Sequence, residues 1–222
     1  MDDYILNAFA TLLVTIDPIG LAPLFLAVSR GASAEMRHAI AVRASLIAAG
    51  ILVAFALTGT TVLNFLGISL PAFRIAGGLL LFWIAFEMVF EKRERRKAAS
   101  AEQARAPHPT GPHPHTPPPA APEDLRHLAV FPLAIPLIAG PGAISATILL
   151  ASQARDTLAL TVLIALVIAI IASCFLVFIA ADRVDRYLGE TGRSVLTRLL
   201  GVLLSALAVQ FVADGVKAIM AV

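Results

Sequence analysis

Six runs of apolar residues, 4 to 29, 39 to 63, 70 to 90, 128 to 152, 158 to 181 and 195 to 220, decide what this chain can become. At about 1.5 Å of rise per residue, each is long enough to cross a hydrocarbon core of about 30 Å as an α-helix. Hydrophobic residues make up 59% of the 222 and charged residues only 14%, with a mean hydropathy of +0.86. This is the composition of a membrane protein. The acidic N-terminus "MDDY" lacks the basic region of a cleavable signal peptide, so the first run is expected to stay in the mature chain. The single cysteine, Cys174, falls inside the fifth run, where it has no intrachain disulfide partner and reads as a small core residue.

The net charge of +2 says nothing in favour of a nucleic-acid partner, but the distribution of Lys and Arg is informative. One set of connections holds Arg30, Arg37, the cluster "EKRERRK" with Arg105 and Arg126, and then Arg183, Arg186 and Arg193. The other set, with both termini, holds only Arg155 and Lys217. The positive-inside rule makes the first set cytoplasmic, so that both termini of a multi-pass membrane protein face outward.

Residues 91–127 join the third and fourth runs, and the stretch "RAPHPTGPHPHTPPPAAPED" within them has little apolar surface to bury and too much proline for helix or sheet. It reads as an extended cytoplasmic linker. His108, His113 and His115 lie in it, yet no thiol or second cluster completes a coordination shell, so neither metal nor other cofactor is expected. The linker divides the chain into residues 1–90 and residues 128–222, with three runs in each.

The halves echo one another. "RIAGGLLL" at Arg74 resembles "RLLGVLLS" at Arg198, and "TIDPIGLAPLF" aligns with "LIAGPGAISAT" when Pro18 is laid on Pro141, at nearly the same offset. A duplicated unit with an odd number of spans inserts in opposite orientations. The expected fold is therefore all-α: a polytopic membrane protein of six transmembrane helices, arranged as two inverted three-helix repeats with helices 1 and 4 broken.

The breaks are Asp17-Pro18-Ile19-Gly20 and Gly140-Pro141-Gly142, both near the centre of a run. Proline removes an amide donor and clashes with the preceding turn, and non-helical backbone at such depth is tolerated only against protein or a wet cavity. Asp17 is the most informative side chain, because a carboxylate at helix centre costs about 2.5 to 3.5 kcal/mol on insertion scales. It can cap the following half-helix or meet a substrate or proton, and the two roles overlap. The amides after each break, Ala143 to Ala146 at the second, suit an anionic group, while carbonyls before it suit a cation. A zwitterionic or anionic small molecule is the expected ligand, held by Asp17, Pro18, Gly20, Gly140, Pro141, Gly142, Ala143 and Ile144.

Other polar groups read more plainly. Arg43, Glu87, Arg198 and Asp214 lie near predicted ends and can snorkel to the interface. Arg74 and Arg198, at equivalent repeat positions, are candidate charges at a repeat interface. Gly77, Gly78 and Gly201 permit close helix packing, and the hydroxyls of "TGTT" from Thr58 to Thr61 can bond back to carbonyls or line a pathway. No nucleotide-binding glycine loop, zinc-ligand spacing or Ser/His/Asp set lies in the spans, so no enzyme is expected.

"DPIGLAPLF" in the first run and "FPLAIPLIAGPGAISATI" in the fourth, with six runs split by a variable loop, resemble the MarC family of bacterial integral membrane proteins. That resemblance covers nearly all of the chain outside the linker. It marks Asp17, Pro18, Gly20, Gly140, Pro141 and Gly142 as signature positions. It implies a secondary transporter of small neutral amino acids related to the LysE-like exporter group. A non-transporting scaffold or assembly protein and a small-ion channel are the alternatives, and self-association is left open.

Overall fold

A computed structural model describes residues 2–29, 32–90 and 129–221; the expected linker, with its three histidines, lies outside them. The regular structure of the described residues is helical, without strands. In chain order the elements are α1 (Asp2–Ile16), α2 (Ala22–Val28), α3 (Ala34–Phe65), α4 (Leu70–Val89), a π-helical segment π1 (Ala129–Ile138), α5 (Pro141–Gln153), α6 (Thr157–Ile179) and α7 (Ala181–Met220). Inside α7, Gly189 takes φ +59° and kinks the element. Among the described residues, four helices are continuous, apolar and long enough to cross a membrane: Ala34–Phe65, Leu70–Val89, Thr157–Ile179 and Ser194–Met220. The first and fourth apolar runs are instead divided, into α1 with α2 and π1 with α5.

Local chemistry sets the ends of these helices. Ser33 caps α3 by accepting the Met36 amide at 3.2 Å, Ser69 caps α4 through Ala72, and Asp156 caps α6 through Ala159 at 2.7 Å. The turn between α3 and α4 is a Schellman motif, with Ile68 donating to the Leu63 carbonyl at 2.9 Å and Gly67 to Asn64 at 3.1 Å. It needs φ +69° at Gly67, which only a residue without Cβ adopts freely. Around Pro132 and Pro136 the backbone widens into the π form, and Ala139 donates to Ala134, five residues back, at 2.9 Å. The wider turn accommodates two proline positions that supply no backbone N–H donor.

α4 and α7 run antiparallel and pack backbone to backbone through glycine. A Cβ on Gly78 would stand 2.9 Å from the Ala208 carbonyl and 2.7 Å from Val212 Cγ2; one on Gly201 would stand 3.1 Å from the Ala85 carbonyl and 3.1 Å from Val89 Cγ2. These two contact sets are the same set displaced by 123 positions, the spacing that also separates Pro18 from Pro141 and the capping residues Ser33 and Asp156. In this register Arg74 corresponds to Thr197 rather than to Arg198. A slip of one residue is about 100° around a helix, so the two arginines are not equivalent.

The core gathers Leu12, Ile16, Leu21, Phe25, Ile40, Leu52, Leu81, Leu133 and Leu149 from six of the elements and the turn before α2. Large apolar side chains such as Leu57, Trp83, Ile168, Leu176, Leu199 and Leu203 stand outward around the helix perimeter. Exposed apolar surface on this scale faces lipid rather than water. Arg43 and Arg198 are exposed and Asp214 is half-exposed, in keeping with snorkelling, but Glu87 is not: it is buried, accepting from Trp83 Nε1 at 3.1 Å. Its position one helical turn from Trp83 gives the carboxylate a donor without leaving the protein.

Candidate functional site

The two breaks use the same proline in different ways. At the first, Asp17 closes α1 by donating its amide to Leu13 at 2.9 Å, then turns to φ +58°, the left-handed region that costs a residue with a Cβ about 1 to 3 kcal/mol. Its carboxylate folds forward and accepts the Gly20 amide at 3.1 Å, while its carbonyl accepts Leu21 at 3.2 Å. A Cβ at Gly20 would collide with that carboxylate, which is why glycine follows at this spacing. Asp17 is only 4% exposed, and Pro18 and Gly20 are buried with it. The carboxylate thus closes the turn that leads into α2, whose own N-cap, Leu21, has no side-chain cap bond.

The second break has no such side chain. Gly140 is the N-cap of α5 in extended conformation, φ −74° and ψ 170°, and makes no side-chain cap bond. Pro141 occupies the first turn, where its missing N–H is no loss. Helix geometry leaves the amides of Gly142 and Ala143 without intrahelical acceptors. The expected run of free amides from Ala143 to Ala146 is shorter than that: Ile144 already donates to the Gly140 carbonyl at 3.0 Å. Ile144 is half-buried, Ala143 buried and Pro141 exposed.

The breaks meet. A Cβ at Gly142 would lie 3.4 Å from Thr15 Cγ2 and would strike Ile84 of α4. α1 and α5 run antiparallel here, and Tyr4 donates to the Leu150 carbonyl at 3.0 Å. Asp17 is two residues from Thr15, so the structure sets a carboxylate-bearing turn beside a bare helix N-terminus. Arg74 and Arg198 are not part of this junction. Arg74 lies beside Gly215 and Arg198 precedes Gly201, at opposite ends of the α4–α7 pair.

Four buried hydroxyls near the junction escaped the reading of the sequence. Thr11 donates to Asn7 Oδ1 at 3.0 Å, Thr15 to the Thr11 carbonyl at 2.5 Å and Thr147 to the Ala143 carbonyl at 2.7 Å. Ser145 Oγ is buried without a hydrogen-bond partner, and a Cβ on Gly77 would stand 2.5 Å from it. Their signal was available: in "TLLVTIDP" and "GPGAISAT" hydroxyls lie within two turns of each break. Among the described residues, no group of three or more His, Cys, Asp and Glu is placed to hold a metal ion.

Comparison with known proteins gives a consistent picture. Residues 3–220 match the family described as MarC family integral membrane protein. A UPF0056 membrane protein of Archaeoglobus fulgidus is 36% identical over 211 residues, covering 94% of this chain and 90% of the relative. Proteins of the same description from Aquifex aeolicus and Buchnera aphidicola are each 35% identical, covering 95% of this chain and 91% and 90% of theirs. No solved structure shows a significant match.

Proposed function

The chain belongs to the MarC family of integral membrane proteins, and from that premise we propose that it is a secondary transporter of small neutral amino acids, binding them between the broken helices. The observation that carries the reading is the approach of the two breaks across Thr15 and Gly142. One offers the Asp17 carboxylate and the other the bare amides of Gly142 and Ala143. An ammonium and a carboxylate on one small molecule match that pair, and helix termini of this kind hold such groups in transporters.

The recurrence at 123 positions of the broken-helix proline, the helix caps and the glycine contacts supports two repeats of three crossings. An odd number of crossings inverts the second repeat. Its antiparallel mates, α4 with α7, then meet at the repeat interface. With the basic connections facing the cytoplasm, both termini face outward, and the chemistry is movement of a solute rather than its conversion.

Purified protein reconstituted in liposomes tests this. Preloaded unlabelled L-alanine or L-valine should drive uptake of the labelled amino acid by counterflow. Absence of counterflow for every neutral amino acid, with the protein folded and oriented in the vesicles, would overturn the reading.

A further inference from the structure

Away from the breaks, a cavity of about 310 Å³ opens where α2 leads into α3 and α6 into α7. It is large enough for a small ligand. Its apolar wall is made by Phe25 and Phe178, whose rings stack at 4.6 Å. Its polar lining is His38, Arg37 and Asp182, the last two joined by one contact of 3.4 Å between Nη1 and Oδ2. That bond is long and leaves the guanidinium most of its donors. Arg37 Nε is buried with no hydrogen-bond partner. Ala32 and Ala34 also line the cavity, so the N-terminus of α3 opens into it beside Arg37, and Ser33 takes only the Met36 amide there.

The repeat register isolates what is special about this place. Displaced by 123 positions, Arg37 and Asp182 correspond to Leu160 and Gly59, and Phe25 to Ile148. There the space is filled: Ile148 Cγ1 stands 2.6 Å from where a Cβ on Gly59 would be. The cavity and its charges therefore have no counterpart at the positions 123 residues away.

We propose that this cavity is a second binding site for a small zwitterionic amino acid, lying on the basic-loop side of the molecule. This rests on the transport reading for its ligand class. The carboxylate binds the Arg37 guanidinium and the α3 N-terminus, the ammonium binds Asp182, and the aliphatic side chain lies on Phe25 and Phe178. A carboxylic acid without the amine uses only half of this arrangement.

Calorimetric titration of L-valine into the full-length protein in detergent tests it, with Gly140→Asp reporting on the breaks. Two binding events per chain are expected. Arg37→Gln, Asp182→Asn and Ala34→Phe, which fills the mouth from an exposed position, should each weaken one event at least tenfold, and Gly140→Asp should remove the other. Isovalerate should bind the cavity more weakly, with no further loss in Asp182→Asn. The charge-reversed R37D/D182R restores an ion pair, so it should recover the melting temperature without recovering affinity. A single event that Gly140→Asp removes and Arg37→Gln leaves at wild-type affinity would overturn the cavity site and spare the transport reading. A single event lost in Arg37→Gln but indifferent to Gly140→Asp would keep the cavity and sink binding at the breaks. No event in the wild type overturns both.

Discussion

The break after α1 is sealed by its own side chain, and the break before α5 is not. Asp17 bends into the left-handed region to bring its carboxylate onto the Gly20 amide, at the expense of backbone strain. Gly140, the residue 123 positions on, stays relaxed at φ −74° and has no side chain with which to cap its helix. The preceding segments differ as well: α1 enters its break as an ordinary α-helix, whereas π1 is widened by Pro132 and Pro136. Elements 123 positions apart share a place in the chain but differ in how they are built. One break is built as a fixed structure, and the other retains helix-terminal donors for something else to satisfy.

The sharpest way to test that division is to add one methyl group to each break. In Gly20→Ala the new Cβ meets the Asp17 carboxylate, which can move only by giving up the cap and its buried setting. A loss of about 2 to 3 kcal/mol is expected, from overpacking together with loss of a cap. In Gly142→Ala the Cβ meets Ile84 Cδ1, the end of a side chain that can turn, and stands at ordinary contact from Thr15. There the loss should be about 1 kcal/mol, with ligand affinity falling by more than stability does. Unfolding by denaturant in detergent ranks the two. Equal losses would mean that the breaks are built alike.

A second experiment removes the difference itself. Gly140→Asp places a carboxylate at an N-cap whose φ and ψ are those caps adopt, within reach of the Gly142 and Ala143 amides. Stability should rise by about 1 kcal/mol, and amino-acid counterflow should fall to background because the donors are occupied. Asp17→Asn, which retains the capping oxygen, should stay within about 0.5 kcal/mol of wild type. A Gly140→Asp protein that transports normally would show that the amides are not the anion site.

Much of this arrangement was legible before the coordinates, and what was not has physical reasons. Long apolar runs announce membrane helices, because no other open structure satisfies backbone groups in lipid, and the proline at each break marks where two of the runs divide. Ser33, Ser69 and Asp156 stand where caps are expected. Positions needing long-range packing were harder. The arginines 74 and 198 suggested a register one residue off, and the contacts of Gly78 and Gly201 correct it. Glu87 looked like an interfacial residue from its place near a span end, but Trp83 one turn earlier supplies a donor and lets it stay buried. The extent of free amide at Gly140 depended on where α5 starts, which periodicity resolves only to a turn.

The smallest expected effect is at the prolines, and it again separates the breaks. Pro141 is exposed in the first turn of α5, with a preset φ suited to the helix and no bond lost for want of an N–H. Pro141→Ala should therefore change stability by less than about 0.5 kcal/mol, chiefly through the greater freedom of the unfolded chain. It adds one amide to the end of α5, but the Gly140 backbone remains extended, so the helix does not heal across the break. Pro18 is buried behind Asp17, and Pro18→Ala removes two ring carbons from a packed site, for which about 1 kcal/mol of destabilisation is expected. Melting curves of the two variants against wild type, with L-valine affinity measured on each, decide the point. If Pro141→Ala instead raises stability substantially while abolishing binding, then proline alone holds the second break open, and the glycines beside it are secondary.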